Sequence, residues 1–169
     1  MSTESITIRS TTSDDALRLR DIRLAALRDE PDAFGSTYEE SLRYSMDRWH
    51  RMATEWNYFI AETVDDVVGM ASGNVYAPLT TTAWLFGMFV QPEYRGTGLA
   101  QELVARVATW ARSENYTTLG LHVTETMSRA RSFYEKVGFR LNGEFEIMPR
   151  KPSLRLLVMT TDLEQNEQI

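Results

Sequence analysis

The stretch Val90-Gln-Pro-Glu-Tyr-Arg-Gly-Thr-Gly-Leu-Ala-Gln101 decides how this chain is read. An apolar run ends at Val90, and an amphipathic segment begins at Gly98. The turn between them is basic and rich in glycine. A strand that enters a helix through such a turn exposes several backbone N–H groups at the helix start, where the helix dipole also favours an anion. Arg95, Gly96, Thr97, Gly98 and Ala100 fit the pattern Arg/Gln-x-x-Gly-x-Gly/Ala. Gly96 and Gly98 let the backbone curl so that its N–H groups converge. Ala100 leaves room for a phosphate, and Arg95 adds a fixed charge. The alternative is a plain strand–turn–helix in which the glycines only permit the bend. Two other phosphate motifs fail here. Walker A needs a lysine that this turn lacks, and a Rossmann turn needs a third glycine and an early parallel βαβ unit.

Working outward, residues 98–112 form the clearest helix, with Leu99, Leu103, Val107 and Trp110/Ala111 on one stripe and Val104 and Ala108 beside it. Residues 80–90 read as a buried central strand. Gly87 within it points to a bulge or a close backbone approach. Upstream, a strand over 5–10 precedes a helix that starts at Thr12 or Ser13 and ends at Glu30-Pro31. A weaker helix follows over about 36–53, and strands over 57–64 and 67–76 meet in a hairpin at Asp65-Asp66. Downstream come a strand at 117–123, a helix at about 127–137 closed by Gly138, and strands at 139–147 and 154–161. The order βααβββαβαββ implies an α+β (three-layer) domain over residues 1–169. Its centre is a mixed, mostly antiparallel twisted sheet of about seven strands with helices on both faces.

Composition narrows the function. The chain has 169 residues, no cysteine and two histidines, His50 and His122. Disulfides, thiolate metal sites and a cysteine nucleophile are excluded, and no metal site is expected. Eighteen basic residues face 24 acidic ones, for a net charge of −6. This balance argues against nucleic-acid binding, while residues 91–151, around the turn, form the one net-positive segment. The start reads as no signal peptide and no run reaches bilayer length, so a cytoplasmic protein with no membrane partner, monomer or homodimer, is expected.

Two blocks carry a resemblance. The first is Met88-Phe-Val-Gln-Pro-Glu-Tyr-Arg-Gly-Thr-Gly-Leu-Ala100. The second runs from Leu121-His-Val-Thr124 through Ala130 to Phe133-Tyr-Glu-Lys-Val-Gly-Phe139. Together with Ala26–Ser36 they make the chain resemble the GNAT superfamily of acyl-CoA-dependent N-acyltransferases, from Ile6 to about Asp162. The resemblance implies that Arg95, Gly96, Thr97, Gly98, Leu99 and Ala100 hold the pyrophosphate of acetyl-CoA through their backbone amides. It implies that Met88, Phe89 and Val90 pair with the pantetheine arm where the central strand and the next one splay apart. Tyr134 becomes the general acid that protonates the leaving thiolate, and a backbone N–H near 88–90 meets the oxyanion. From periodicity alone, Tyr134 reads as a core aromatic. The family often carries Asn seven positions before the tyrosine. Here that position is Met127, a weak acceptor, with Ser128 or Thr126 as substitutes.

A general base for the amine is expected among Glu125, Glu62 and His122, with Glu125 at the end of its strand as first choice. Residues 31–40 are expected to shape the acceptor pocket. Phe34 and Tyr38 would form an apolar wall, and Glu39 or Glu40 would attract an ammonium group. Trp49, Trp56 and Trp84 read as core or interface residues. The expected activity is direct transfer of acetyl from acetyl-CoA, as co-substrate, to a primary amine of a small molecule or peptide. A non-catalytic acyl-CoA-binding domain and a transferase of a different acyl group are the rivals.

Overall fold

The computed structural model describes residues 5–169, so what was read from the first four residues lies outside it. Seven strands form one sheet: β1 (Thr7–Ser10), β2 (Tyr58–Glu62), β3 (Val67–Asn74), β4 (Thr82–Val90), β5 (Thr118–Thr124), β6 (Arg140–Ile147) and β7 (Arg155–Asp162). Their spatial order is β1-β2-β3-β4-β5-β7-β6. Every pairing is antiparallel except that of β4 with β5. The mostly antiparallel, helix-covered sheet expected from the element order is therefore present.

Among the described residues five α-helices cover it: α1 (Ala16–Asp29), α2 (Tyr38–Leu42), α3 (Met46–Glu55), α4 (Leu99–Ser113) and α5 (Ser128–Lys136). Alternation along the strands divides the core in two. Tyr58 and Ile60 pack with Leu19, Leu27, Trp49 and Met52 of α1 and α3. Ala61, Leu85, Leu119 and Leu121 pack on the opposite face with α4 and α5. The stripe expected on α4 is this second contact: Leu99, Leu103, Val104, Val107, Ala108 and Ala111 are all buried. No helix among the described residues is long and apolar enough to cross a membrane.

The helix expected over 36–53 is two helices. Ser45 has extended backbone, and its Oγ accepts a hydrogen bond from the Arg48 N–H at 3.2 Å, which starts α3 afresh. Ser36 to Leu42 are then free to run in a separate direction, with Thr37 capping α2. The hairpin after β2 turns at Val64-Asp65, one residue before the expected Asp65-Asp66. Thr63 closes it by bonding Asp66, its N–H donating to the Asp66 carbonyl at 2.9 Å.

Candidate active site

The site begins where the sheet fails to pair. β4 and β5 are joined only from Thr82↔Thr118 to Leu85↔Leu121. Beyond Leu121, β5 continues to Thr124 with β7 as its neighbour, and the β4 edge from Phe86 onward faces no strand. β4 also carries a bulge. Its register against β3 changes between Met70↔Phe89 and Ser72↔Phe86, so Gly87 and Met88 together oppose Ala71. Gly87 has φ +62°, and a Cβ there would lie 3.3 Å from the Tyr58 hydroxyl. The extra residue reverses side-chain parity. Leu85 packs towards α4, and Phe89 packs in the α1/α3 core.

The turn after β4 is an open nest of donors. Gly96 and Gly98 have φ +77° and +90°, and nothing lies within 4 Å of a Cβ built at either. Gly98 is the N-cap of α4, so no side chain caps the helix. Among the described residues, the backbone N–H groups of Gly96 to Gln101 donate to no group of the chain, and the first that does is Glu102, to Gly98 O at 3.1 Å. Those free donors at the positive end of a fifteen-residue helix fit a diphosphate. The Arg95 side chain has a different task. It donates to Asp29 at 2.6 Å and to the Val90 carbonyl at 3.0 Å, with Glu30 at 3.8 Å. Arg95 thus straps the turn to the end of α1, and its charge is already paired.

Tyr134 sits on α5 between Phe133 and Phe139, with ring centroids at 5.2 Å and 5.8 Å, and is 9% exposed. Burial pushes its phenol above the ordinary value, and the nearby Glu30 carboxylate adds to the shift. Tyr134 lines a cleft of about 790 Å³ together with Met88, Phe34, Met127 and His122. The cleft lies over the open end of β4 and β5, so the bulge and the tyrosine meet in one space.

The acceptor side differs from expectation. Of residues 31–40, only Ala33, Phe34, Gly35 and Ser36 line the cleft. Their turn is held in place by Arg150, which donates to the Phe34 carbonyl at 2.8 Å and to that of Pro31. The Thr124 hydroxyl adds a bond to Asp32 O at 2.6 Å. Tyr38 instead accepts a bond from Arg28 at 2.6 Å. Glu39 is exposed and Glu40 caps α2, neither of them at the cleft. Glu125, the expected base, is not at the cleft either. Both of its oxygens are taken by Arg155, at 3.0 Å from the backbone N–H and 2.9 Å from Nε, which holds the carboxyl below its usual range. Glu62 is bound by Arg9 at 2.7 Å and Arg18 at 2.6 Å on the β1 side of the sheet. Of the three candidate bases, only His122 faces the cleft. Its ring stacks on Trp84 at 4.8 Å and 12°, Tyr76 meets both rings, and its Nε2 lies 3.6 Å from a Glu146 oxygen. Gly120 makes room for that Trp84 ring, since a Cβ there would stand 2.9 Å from it. Trp49 is buried in the core.

A profile described as "Acetyltransferase (GNAT) family" matches residues 22–139. The chain belongs to the GNAT acetyltransferase family. Among similar proteins are N-acetyltransferase 8 of Homo sapiens, 30% identical over 90 residues, and N-acetylaspartate synthetase of Danio rerio, 33% identical over 104 residues. The matches cover 52% and 59% of this chain but only 40% and 36% of those relatives. The GNAT fold is also seen in yncA of Salmonella typhimurium, solved with its cofactor acetyl-CoA. The TM-score is 0.75 at 18% identity, and 94% of each chain is covered. Within this GNAT chain, Arg23, Glu30, Tyr76 and Glu146 also line the cleft, outside the segments expected to form it. Glu146 lies beyond the matched span, on an exposed edge strand that gives no sequence hint of the cleft. Arg23 did leave a signal. It interrupts the apolar stripe of α1 four residues after Leu19 and four before Leu27, where a charge is unusual.

Proposed function

We propose that the chain transfers an acetyl group from acetyl-CoA to a primary amine by direct attack within a ternary complex. The observation that carries this reading is the meeting of three features at one cleft: an unpaired β4 edge, an uncapped donor turn at its end and a buried phenol above it. The backbone N–H groups of Gly96 to Gln101 hold the diphosphate, and the free edge of Phe86–Val90 receives the pantetheine amide as an added strand would be received. Acetyl-CoA supplies the activated acyl carbon and a thiolate leaving group.

The chain's residues divide the remaining work. His122 accepts the proton that the amine must lose, and Glu146 steadies the charge this puts on the ring. The amine nitrogen bonds to the acyl carbon as the carbon–sulfur bond breaks. A backbone N–H at the bulge faces the oxygen that gains charge. Tyr134 gives its proton to sulfur. Burial favours the neutral phenol, so the proton is still present across the range in which amines are free. The absence of cysteine agrees with direct transfer, since no thiol can carry the acetyl group. Release of free thiol from acetyl-CoA, measured against a panel of amines, tests the reading. Amine-dependent release is expected. A melting-temperature rise with acetyl-CoA but no release with any amine would instead make this a binding module.

A further inference from the structure

The guanidinium of Arg23 is held but not neutralised. Nη1 donates to the Tyr58 hydroxyl at 3.1 Å, and Nη2 donates to the Ser36 hydroxyl at 2.9 Å. Its carbon lies 5.8 Å from the centre of the Phe34 ring, and its Nε is enclosed without a hydrogen-bond partner. Among the described residues no carboxylate comes within ion-pair distance of it. Of the two carboxylates on the cleft wall, Glu30 lies 3.8 Å from Arg95 and Glu146 lies 3.6 Å from His122. Burying a charge is costly unless an opposite charge answers it. Two hydroxyls can aim a guanidinium, but they cannot cancel it. An arginine fixed in this way, on the wall of a cleft, has the planar fork that pairs with a carboxylate.

Its location says where that carboxylate would lie. The Tyr58 hydroxyl that orients Arg23 is the group beneath the Gly87 bulge. Arg23 therefore reaches the place where β4 and β5 part. Elsewhere on the same cleft stand Glu146 and the rings of Tyr76, Trp84 and His122, which suit an ammonium or amine. The cleft thus carries a cation and, separately, an anion with aromatic faces.

We propose that Arg23 receives a carboxylate of the acceptor, so that the substrate is an amino-acid-like amine that carries its own carboxylate. This rests on the acetyl-transfer reading. Ser36 and Tyr58 are positioning residues for the guanidinium, and Phe34 is its stacking face.

The test offers acetyl-CoA with a panel of L-amino acids, each beside its methylamide, and follows thiol release. The free acid is expected to exceed the amide by about 10- to 100-fold in kcat/KM, the range of a charge-assisted pair. Arg23→Gln should bring that ratio near one, and Arg23→Lys should keep an intermediate ratio. The melting-temperature rise with acetyl-CoA shows that each variant is folded with its donor site intact. A wild-type ratio near one, or a ratio unchanged in both variants, overturns the proposal. A succinyl-CoA arm with the amides distinguishes the other source of a carboxylate: Arg23-dependent turnover there alone would assign the site to the acyl group and defeat the acceptor assignment. If no amine releases thiol, the acetyl-transfer reading fails by itself. The carboxylate site is then read from N-acetyl-L-amino acids added with CoA. A melting-temperature rise in wild type that is lost in Arg23→Gln supports the proposal, and no rise in wild type overturns it.

Discussion

The donor half of the cleft and the acceptor half are built by different means. Residues 86–101 supply the donor half from one continuous segment, and its working groups are backbone N–H groups at the β4 edge and the α4 start. The acceptor half takes side chains from α1, the 33–36 turn, the loop after β3, β4, β5 and β6. A backbone-built site needs only a local conformation, which glycines and helix caps encode within a few residues. A side-chain-built site needs the whole topology first. The comparison teaches that the donor can be conserved by keeping one turn, while the acceptor can change by altering any one of six distant positions.

That contrast can be broken or sharpened by experiment. The largest effect is expected at the point where the halves meet. Tyr134→Phe should lower kcat by about 10²–10⁴-fold with acetyl-CoA affinity little changed, the range for a lost general acid. Turnover close to wild type would remove Tyr134 from the chemistry. The same residue gives a pH sign. Tyr134 must be protonated to act, and burial raises its pKa, so activity should be lost only as pH rises through a value above the ordinary 10.0. An alkaline limb set by this group below 10 would contradict the burial argument.

Next come variants that should separate the halves. Gly98→Val forces a β-branched residue into φ +90° at the donor turn, where there is open space but an unfavourable backbone. Acetyl-CoA affinity should fall about tenfold or more, as read by calorimetry, with the preference among amines unchanged. Trp84→Ala should do the reverse. It removes the face on which His122 stacks and should raise KM for the amine by about tenfold, leaving the acetyl-CoA melting shift in place. If either variant moves both measurements equally, the division into halves fails.

The smallest effect should lie outside both halves. Asp15 is buried and bonded to Arg9 at 2.7 Å and 2.9 Å, chiefly through which its pKa is lowered from 3.8 to about 2. A depressed carboxyl contributes its stability in full above the unfolded value, and the contribution is lost as pH falls through about 2. Asp15→Asn should therefore cost about 1 kcal/mol at neutral pH, after allowance for the half-exposed Arg9, and almost nothing near pH 2. Denaturant unfolding at the two pH values measures this. A cost that stays constant with pH would mean packing rather than charge.

Much of the donor half was legible because its signals are short. The α4 stripe, the two glycines and the interruption at Gly87 all lie within a few residues of what they determine. The break between α2 and α3 was harder to read, since Ser45 acts as a cap only once the apolar pattern on either side is divided. Pairings across the fold were not legible at all. Arg95 meets Asp29 across 66 residues and Glu125 meets Arg155 across 30. A charged residue in a motif looks free for a ligand until its distant partner is known. Arg23 is the intermediate case. Its place on the α1 stripe could have marked it, but only the fold showed that no carboxylate answers it.

The bulge in β4 also bears on how this chain can vary. With Gly87 and Met88 sharing one partner, the strand counts one residue more than its neighbour over the same length. Deleting either residue would restore an ordinary ladder, with Phe86 still opposite Ser72 and Phe89 still opposite Met70, and would remove the bulge itself. No single replacement elsewhere could restore the bulge, because its loss alters the count and leaves side-chain identity untouched. Substitutions along this strand can be tested one at a time by drift, whereas a length change there takes the bulge away in one step. The spacing from Leu85 to the glycine turn is therefore expected to resist insertion and deletion more strongly than it resists replacement.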